Sequence, residues 1–473
     1  MAATARALGS STLPRLAIVG AGPTGLGAAY RLAQLGHADF TLYERNTWVG
    51  GLAASFRDAA GFTWDIGGHV QFSHYDDFDD AMDATMGGDW LSHQRESWVW
   101  IRDRFIPYPF QNNTHFLPDV EKRACLLGLM RRHGEASSQP RDFEEWIRAS
   151  FGDGIAETFM LPYNTKVWAY PPSTMDYTWV GERVAQVDFE RILLNLLDNR
   201  VDAAWGPNNR FRFPIVGGTG EIWRRVAANL PSGVVRLGAS VRRIEPSARV
   251  LWFADGSRAQ YDLLISTMPL DTLVGMCEPL ALGAAAKLTY STVHVIGIGL
   301  EGTPPPHLAT KCWIYFPEDS TPFYRLTVFS NYSPRNVPAP DRQWSVMVEV
   351  SESPLKPVNA GRVVDDAVRG LITAKIIGCE NQIVSRWHMV APHGYPTPFL
   401  GRDAVVMPLL ESLARQGIYS RGRFGAWKYE VSNQDHSFMQ GVEVVNHLAF
   451  GSEELTLHRP DVVNRTKVTR ANA

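Results

Sequence analysis

The stretch "LAIVGAGPTGLGAAYRLAQLG", Leu16 to Gly36, constrains the fold more than any other part of this 473-residue chain. Leu16 to Val19 are apolar and suit a strand. Gly20, Gly22 and Gly25 then fit G-x-G-x-x-G, and apolar residues recur at helical spacing until Gly36. A strand, a tight glycine turn and a helix in that order let backbone N–H groups approach a pyrophosphate at the positive end of the helix. A second strand, "FTLYE", closes on Glu44, where a carboxylate can accept hydrogen bonds from an adenosine ribose. Glycine spacing alone is a weak signal. Flanked by two strands and closed by an acid, it predicts a Rossmann-like dinucleotide-binding domain.

Two later glycine pairs turn the choice of dinucleotide towards FAD. Gly50 and Gly51 in "WVGGLAASF" follow Glu44 directly, and Gly67 and Gly68 precede His69 in "DIGGHV". A plain nicotinamide dehydrogenase does not need these extra turns. Without a β-carbon, Gly67 and Gly68 are expected to let the backbone lie against the flat flavin ring, with His69 at its face. The alternative is a glycine bulge beside a buried histidine. The acids of "HYDDFDD" read as a capped helix start that suits the helix dipole.

The length predicts two or three domains. Segments 12–87, 204–268 and 418–473 read as three parts of one FAD-binding domain. Segments 88–112 and 269–417 carry strand patterns and form an antiparallel sheet domain in two parts. Within the first, Trp98, Trp100 and Ile101 lead into a turn at Arg102 and Asp103, and Phe105 and Ile106 return. Segment 113–203 is rich in helical periodicity and reads as an inserted helical substrate domain. Short strands with an Asp-Gly turn at Asp255 and Gly256 complete the flavin part.

A net charge of −3 gives no reason to expect a nucleic-acid partner. The four cysteines, Cys125, Cys277, Cys312 and Cys379, have neither metal nor redox spacing, so no metal site is expected. The first residues, "MAATARALGSSTLP", lack the apolar core of a secretory signal. No run reaches the length of a membrane span. A cytoplasmic protein is the expectation.

Motifs across nearly the whole chain then converge: "GGHVQFSHY", "PYPFQNN", "LPYNTKVWAYPP", "GERVA", "WGPNNRFRFP", "GGTGEIW", "CWIYFPED", "PFYR", "HGYPTP" and "GRFGAWKYEVSNQDHSFMQG". Taken together they resemble the UDP-galactopyranose mutases, in their eukaryotic-type branch. The glycine motifs alone would suit many flavin amine oxidases. The resemblance implies an isomerase that interconverts UDP-galactopyranose and UDP-galactofuranose, with N5 of reduced FAD as nucleophile at the anomeric carbon. It implies NADPH, or NADH less well, as reductant. It leaves room for a homo-oligomer.

The resemblance also assigns residues. His69, Arg183 and Arg325 match catalytic positions, the arginines facing the diphosphate. Tyr315, Tyr395 and Tyr429 match tyrosines that donate to the diphosphate, a task that suits a neutral, rigid phenol. Tyr108, Phe110, Gln111, Tyr163, Asn164 and Trp168 match the uracil pocket. Asn208 matches a residue near the sugar, and Phe72 is placed over the same site. Arg423 is expected near the flavin pyrophosphate. Asn433, Gln434 and Ser437 open a helix whose N-terminus would face the pyrimidine end of the flavin, where its dipole favours a reduced, anionic ring. For Asn433 and Ser437, ordinary helix capping is compatible with that role. Ser432 stands where the family pattern has glycine.

Two other readings stay open on the sequence. One is the same ring contraction on another nucleotide sugar. The other is an amine-oxidase-type flavin oxidoreductase, against which two arginines and several tyrosines suited to a diphosphate argue. A silent nucleotide-sugar binder is disfavoured by the presence of His69, Arg183 and Arg325.

Overall fold

The strand Leu16–Val19 lies at the centre of a five-stranded sheet. Its order is Ile418–Ser420, Leu263–Ser266, Leu16–Val19, Phe40–Tyr43, Val235–Arg236, and every neighbouring pair is parallel. The computed structural model describes residues 13–133, 139–186, 188–203, 206–277 and 287–469. The three inner strands are largely apolar and sandwiched between layers, as parallel sheets require, while the edge strand Val235–Arg236 is partly exposed. The helix Pro23–Gln34 covers one face together with Gln434–Phe450, the two packing through Leu26, Ala29, Phe438 and Val442. They approach so closely that a Cβ on Gly441 would sit 2.0 Å from the Thr24 carbonyl oxygen.

A seven-stranded sheet forms the second body. Its order is Ile383–Pro396, Tyr290–Glu301, Gln343–Glu352, Arg325–Thr327, Trp313–Tyr315, Ser97–Ile101, Arg104–Pro107. All contacts are antiparallel except the parallel pair of Trp313–Tyr315 with Ser97–Ile101. Side chains alternate between its faces. Ile296, Ile314, Leu326 and Val348 go to one face, against the helix Val363–Thr373. The opposite face carries Tyr315, Arg325 and Glu349. A third group of helices, Asp119–His133, Phe143–Ile155, Leu161–Trp168 and Phe189–Asp198, closes over that face.

The elements fall largely into the six segments expected, and on that ground we propose those segments as domain parts. The expected limits at residues 12, 204 and 473 lie outside the described residues. One strand departs from the scheme. Trp90–Gln94 does not join the hairpin but pairs with Arg210–Pro214, so it ties the first sheet segment to the second flavin segment. The hairpin itself is Ser97–Ile101 with Arg104–Pro107, turning at Arg102 and Asp103, both at positive φ.

The helix start after His74 also differs in detail. Tyr75 is the N-cap of Asp76–Met86 and makes no side-chain cap, so the expected cap is absent although Asp76, Asp77 and Asp79 fill the first turn. The Tyr75 N–H is instead held by Ser73 Oγ at 2.9 Å, from outside the helix. Among the described residues, no helix is long and apolar enough to cross a membrane.

Candidate active site

The glycine turn is built from direct backbone contacts. A Cβ on Gly25 would meet the Gly20 carbonyl oxygen at 1.9 Å, so strand and helix touch there. Gly22 is the N-cap of Pro23–Gln34, and no side chain caps this helix. Its first amides therefore remain available to an anion. Gly50 and Gly51 form a second turn against the first, with Gly50 N–H donating to the Ala21 carbonyl at 2.8 Å. Glu44 is buried, and its carboxylate receives the Ala21 N–H at 2.8 Å and the Asn46 N–H at 2.9 Å. Each oxygen keeps a lone pair for a further donor. The helix Gln434–Phe450 likewise begins at Asn433 without a side-chain cap. Two uncapped helix starts, two opposed glycine turns and a buried acid fit FAD.

Gly67 and Gly68 have a reason of their own to be glycine. Gly67 has φ +97°, and a Cβ on Gly68 would lie 2.6 Å from Thr327 Oγ1 on the seven-stranded sheet. The close approach of Thr327 disfavours a side chain at Gly68 whether or not a flat ring lies beside the backbone. The turn places His69 among charges. Burial pushes its imidazole down to about 4, Arg423 and Arg325 add to that, and Glu349 opposes them. Its Nδ1 has no hydrogen-bond partner among the described residues. His69 is thus a neutral ring at neutral pH.

The unfolded chain takes a proton at histidine near pH 6.5, whereas folded His69 resists protonation until about 4. Stability from this group is therefore present above 6.5 and is lost as pH falls from 6.5 towards 4. Tm measured across that window should fall, and His69→Asn should flatten the curve. Equal slopes for the two proteins would show that His69 titrates normally.

One row across the sheet carries the polar centre. Tyr315 lies opposite Arg325, and Arg325 lies opposite Glu349 on the next strand. Arg325 donates to Glu349 through Nε at 2.9 Å and through Nη2 at 2.7 and 2.8 Å. Burial alone would raise the Glu349 carboxyl, but Arg325 and the Tyr324 hydroxyl hold it below the usual carboxylate range. Glu349 is not among the residues that the sequence motifs mark. Its signal is an acid inside the apolar strand "WSVMVEV".

Two more arginines come from other elements. Arg183, after the turn at Gly181, donates to Asn433 Oδ1 at 3.1 Å and to the Glu430 carbonyl at 2.9 Å. Its guanidinium lies 4.8 Å from the Tyr429 ring centre. Arg423 donates to the Gly394 carbonyl at 2.9 Å and to Ser432 Oγ at 2.9 Å, and sits 4.9 Å from the Tyr395 ring centre. Ser432 is therefore a partner of Arg423 rather than a bare backbone position. Neither arginine pairs with a carboxylate among the described residues. Tyr395, Tyr429 and Trp168 interlock, with ring centres 4.8–5.8 Å apart.

The nucleotide-pocket residues separate into two groups. Tyr108 and Tyr163 pack on Tyr315 at 4.9 and 5.2 Å and join the polar centre. Phe110 stands apart from Tyr315 among the described ring contacts. It is 0% exposed and stacks on Phe159 at 4.6 Å, so it supports Tyr163 from behind. Gln111 is buried with Nε2 donating to the Ala185 carbonyl at 2.6 Å, and Asn164 donates to the Met160 carbonyl at 2.7 Å. Asn208 accepts from Arg95, a second residue that the motifs do not mark, whose guanidinium lies 5.8 Å from the Tyr108 ring centre. Phe72 packs edge-on against His74 at 5.5 Å.

Elsewhere, His74 Nδ1 lies 2.6 Å from Asp435 Oδ2, and His436 stacks on His74 at 4.6 Å. These three offer metal-type ligands within 4.8 Å of one another. The Asp435 oxygen already holds both the ring and the N–H of His74, so the group reads as a cross-link to the helix Gln434–Phe450. Gln434 accepts from Trp223 Nε1 at 2.8 Å, and Ser437 is buried in the first turn of that helix.

Such a parallel sheet with paired glycine turns, facing an arginine- and tyrosine-lined sheet, defines an FAD-binding protein of the amine-oxidoreductase type. The family model described as flavin containing amine oxidoreductase matches residues 23–388. A crystal structure of reduced UDP-galactopyranose mutase superposes with a TM-score of 0.94 at 50% identity, covering 96% of this chain and 98% of that one. The chain belongs to the UDP-galactopyranose mutase family.

A more distant solved structure shares the fold alone. A putative protoporphyrinogen oxidase from Exiguobacterium sp. 255-15 gives a TM-score of 0.73 at 18% identity, over 94% of this chain and all of that one, 100%. A 4,4'-diapophytoene desaturase from Staphylococcus haemolyticus (strain JCSC1435) is 52% identical over 52 residues. That match spans 11% of this chain and only 10% of the desaturase.

Proposed function

We propose that this protein interconverts UDP-galactopyranose and UDP-galactofuranose. The observation that carries the reading is 50% identity to a UDP-galactopyranose mutase over 96% of the chain. Reduced FAD, when bound, supplies the nucleophile for the anomeric carbon. The residues that would hold it are Gly20, Gly22, Gly25, Glu44, Gly50, Gly51, Gly67, Gly68, Arg423, Asn433, Gln434 and Ser437.

The chain's own side chains supply position and charge. Arg183 and Arg325 face the diphosphate from two sides, and Tyr315, Tyr395 and Tyr429 donate neutral hydrogen bonds to it. A charged hydrogen bond of this kind contributes about 1.5–3 kcal/mol. Tyr108, Tyr163, Asn164 and Trp168 take the uracil, with Phe110 and Gln111 setting their backing. Asn208, oriented by Arg95, is placed for the sugar. Neutral His69 and Phe72 finish the wall by the reacting carbon, and His69 there accepts or donates a hydrogen bond without adding charge. NADPH or NADH serves as reductant in this reading. A cytoplasmic location and self-association belong to the same proposal.

An anaerobic assay tests it. The protein is reduced with dithionite, given UDP-galactofuranose, and the products are separated, with oxidised protein as control. Conversion to UDP-galactopyranose in the reduced sample alone is the expected result. Tight UDP binding without conversion would point to another sugar. Absence of UDP binding would overturn the reading in favour of an oxidase.

A further inference from the structure

Glu349 receives more donors than any other group at the centre of the site. Two nitrogens of Arg325 reach it at 2.7–2.9 Å, the Tyr324 hydroxyl at 2.5 Å, and the Gly68 N–H at 3.2 Å. The carboxylate is 3% exposed, while the Arg325 side chain is 24% exposed and so keeps an open face. Arg183 and Arg423 are held by carbonyls, Asn433 and Ser432 instead. Of these three arginines, only Arg325 carries a counter-anion among the described residues.

This asymmetry has a consequence for an enzyme whose substrate and product share one diphosphate. With Arg325 uncompensated as Arg183 is, the two arginines that face this diphosphate would hold substrate and product alike, and tightly. Uniform binding of that kind does not raise turnover and slows departure of the product. A carboxylate that stays on Arg325 offsets part of its attraction for the diphosphate and so eases departure of the ligand.

We propose that Glu349 is a positioning residue that acts as a competing internal anion on Arg325, lowering affinity for the diphosphate while holding the turn at Gly68. The inference rests on the reading that Arg325 faces the diphosphate. Tyr324 enters as a second competitor. Its hydroxyl draws on the same carboxylate, so removing it turns Glu349 more fully onto Arg325.

The FAD-loaded protein tests this with two ligands, UDP and uridine, the latter lacking phosphate. Glu349→Gln should tighten UDP by about tenfold, as expected from removing one charge near a doubly charged group. Uridine should change less than about twofold, since it offers that charge no partner. KM and kcat should fall together as release slows. Tyr324→Phe should move UDP the opposite way, weakening it about two- to threefold, the scale of one modest hydrogen bond. UDP and uridine shifting alike in Glu349→Gln, or UDP weakening, would overturn the inference. If that variant does not fold, a Tyr324→Phe protein with an unmoved UDP-to-uridine ratio overturns it instead. Wild-type protein that binds UDP no better than uridine would remove the diphosphate reading of the site itself. A normal wild-type preference with unmoved ratios in the variants removes only the role given to Glu349.

Discussion

Arg325→Met should cost about 3–5 kcal/mol of stability, because it leaves Glu349 charged, buried and without its partner. It should also lower kcat/KM about 10- to 100-fold through the loss of a charged hydrogen bond to the diphosphate. The two effects separate in the double variant Arg325→Met with Glu349→Met. Replacing a whole buried ion pair by apolar side chains of similar size is often neutral or stabilising. Stability should therefore recover in the double variant while turnover stays low. Denaturant unfolding and steady-state rates on the same preparations check this. Recovery of both would mean that Arg325 serves the sheet and not the substrate. The pair sits on adjacent antiparallel strands, Arg325 opposite Glu349, so no rearrangement of the strands is needed to accommodate the change.

Gly25→Ala should abolish flavin binding. The added Cβ would lie 1.9 Å from the Gly20 carbonyl oxygen and 3.1 Å from its carbon, and both atoms are backbone. A flexible side chain could swing aside, but here the helix must lift off the strand. Overpacking of this kind costs about 1–3 kcal/mol and occasionally more, and it moves the amides that would meet the pyrophosphate. Gly36→Ala is the control. Gly36 also has a positive φ, +71°, but nothing lies within 4 Å of its added Cβ. Its cost should be the left-handed backbone alone, about 1–2 kcal/mol, with flavin retained. Absorbance of bound flavin per protein and thermal melts distinguish the two. A yellow Gly25→Ala protein with normal flavin content would show that the turn is structural only.

The local elements were legible because their causes are local. Leu16–Val19, the turn at Gly20 to Gly25 and the helix Pro23–Gln34 follow from apolar spacing and glycine placement within twenty residues. The hairpin turn at Arg102 and Asp103 and the turn at Asp255 and Gly256 follow from the same kind of signal. The resemblance then named Arg183, Arg325 and the tyrosines, and the structure brings these residues to one side of the seven-stranded sheet. Phe110 shows the limit of that approach. Its motif marks the pocket, but an apolar ring is placed by packing, and here it is enclosed on Phe159.

What the tertiary structure alone decided is who partners whom. Glu349 meets Arg325 because two strands pair in one register, and a shift of one residue would send each side chain to the opposite face. Asp435 meets His74 across 361 residues, and Ser432 meets Arg423 because a loop folds back. Trp90–Gln94 lies in the same strand-patterned segment as the hairpin, yet pairs with a strand more than a hundred residues away. Periodicity records which side chains want to be buried, whereas a counter-charge is chosen by whichever chain segment arrives beside it. By itself the sequence determined a flavin-binding turn, a set of strands and helices, and a family resemblance. Only the folded chain settled that one of the site's arginines comes with an anion of its own, because that contact depends on register between strands and on nothing local to either residue.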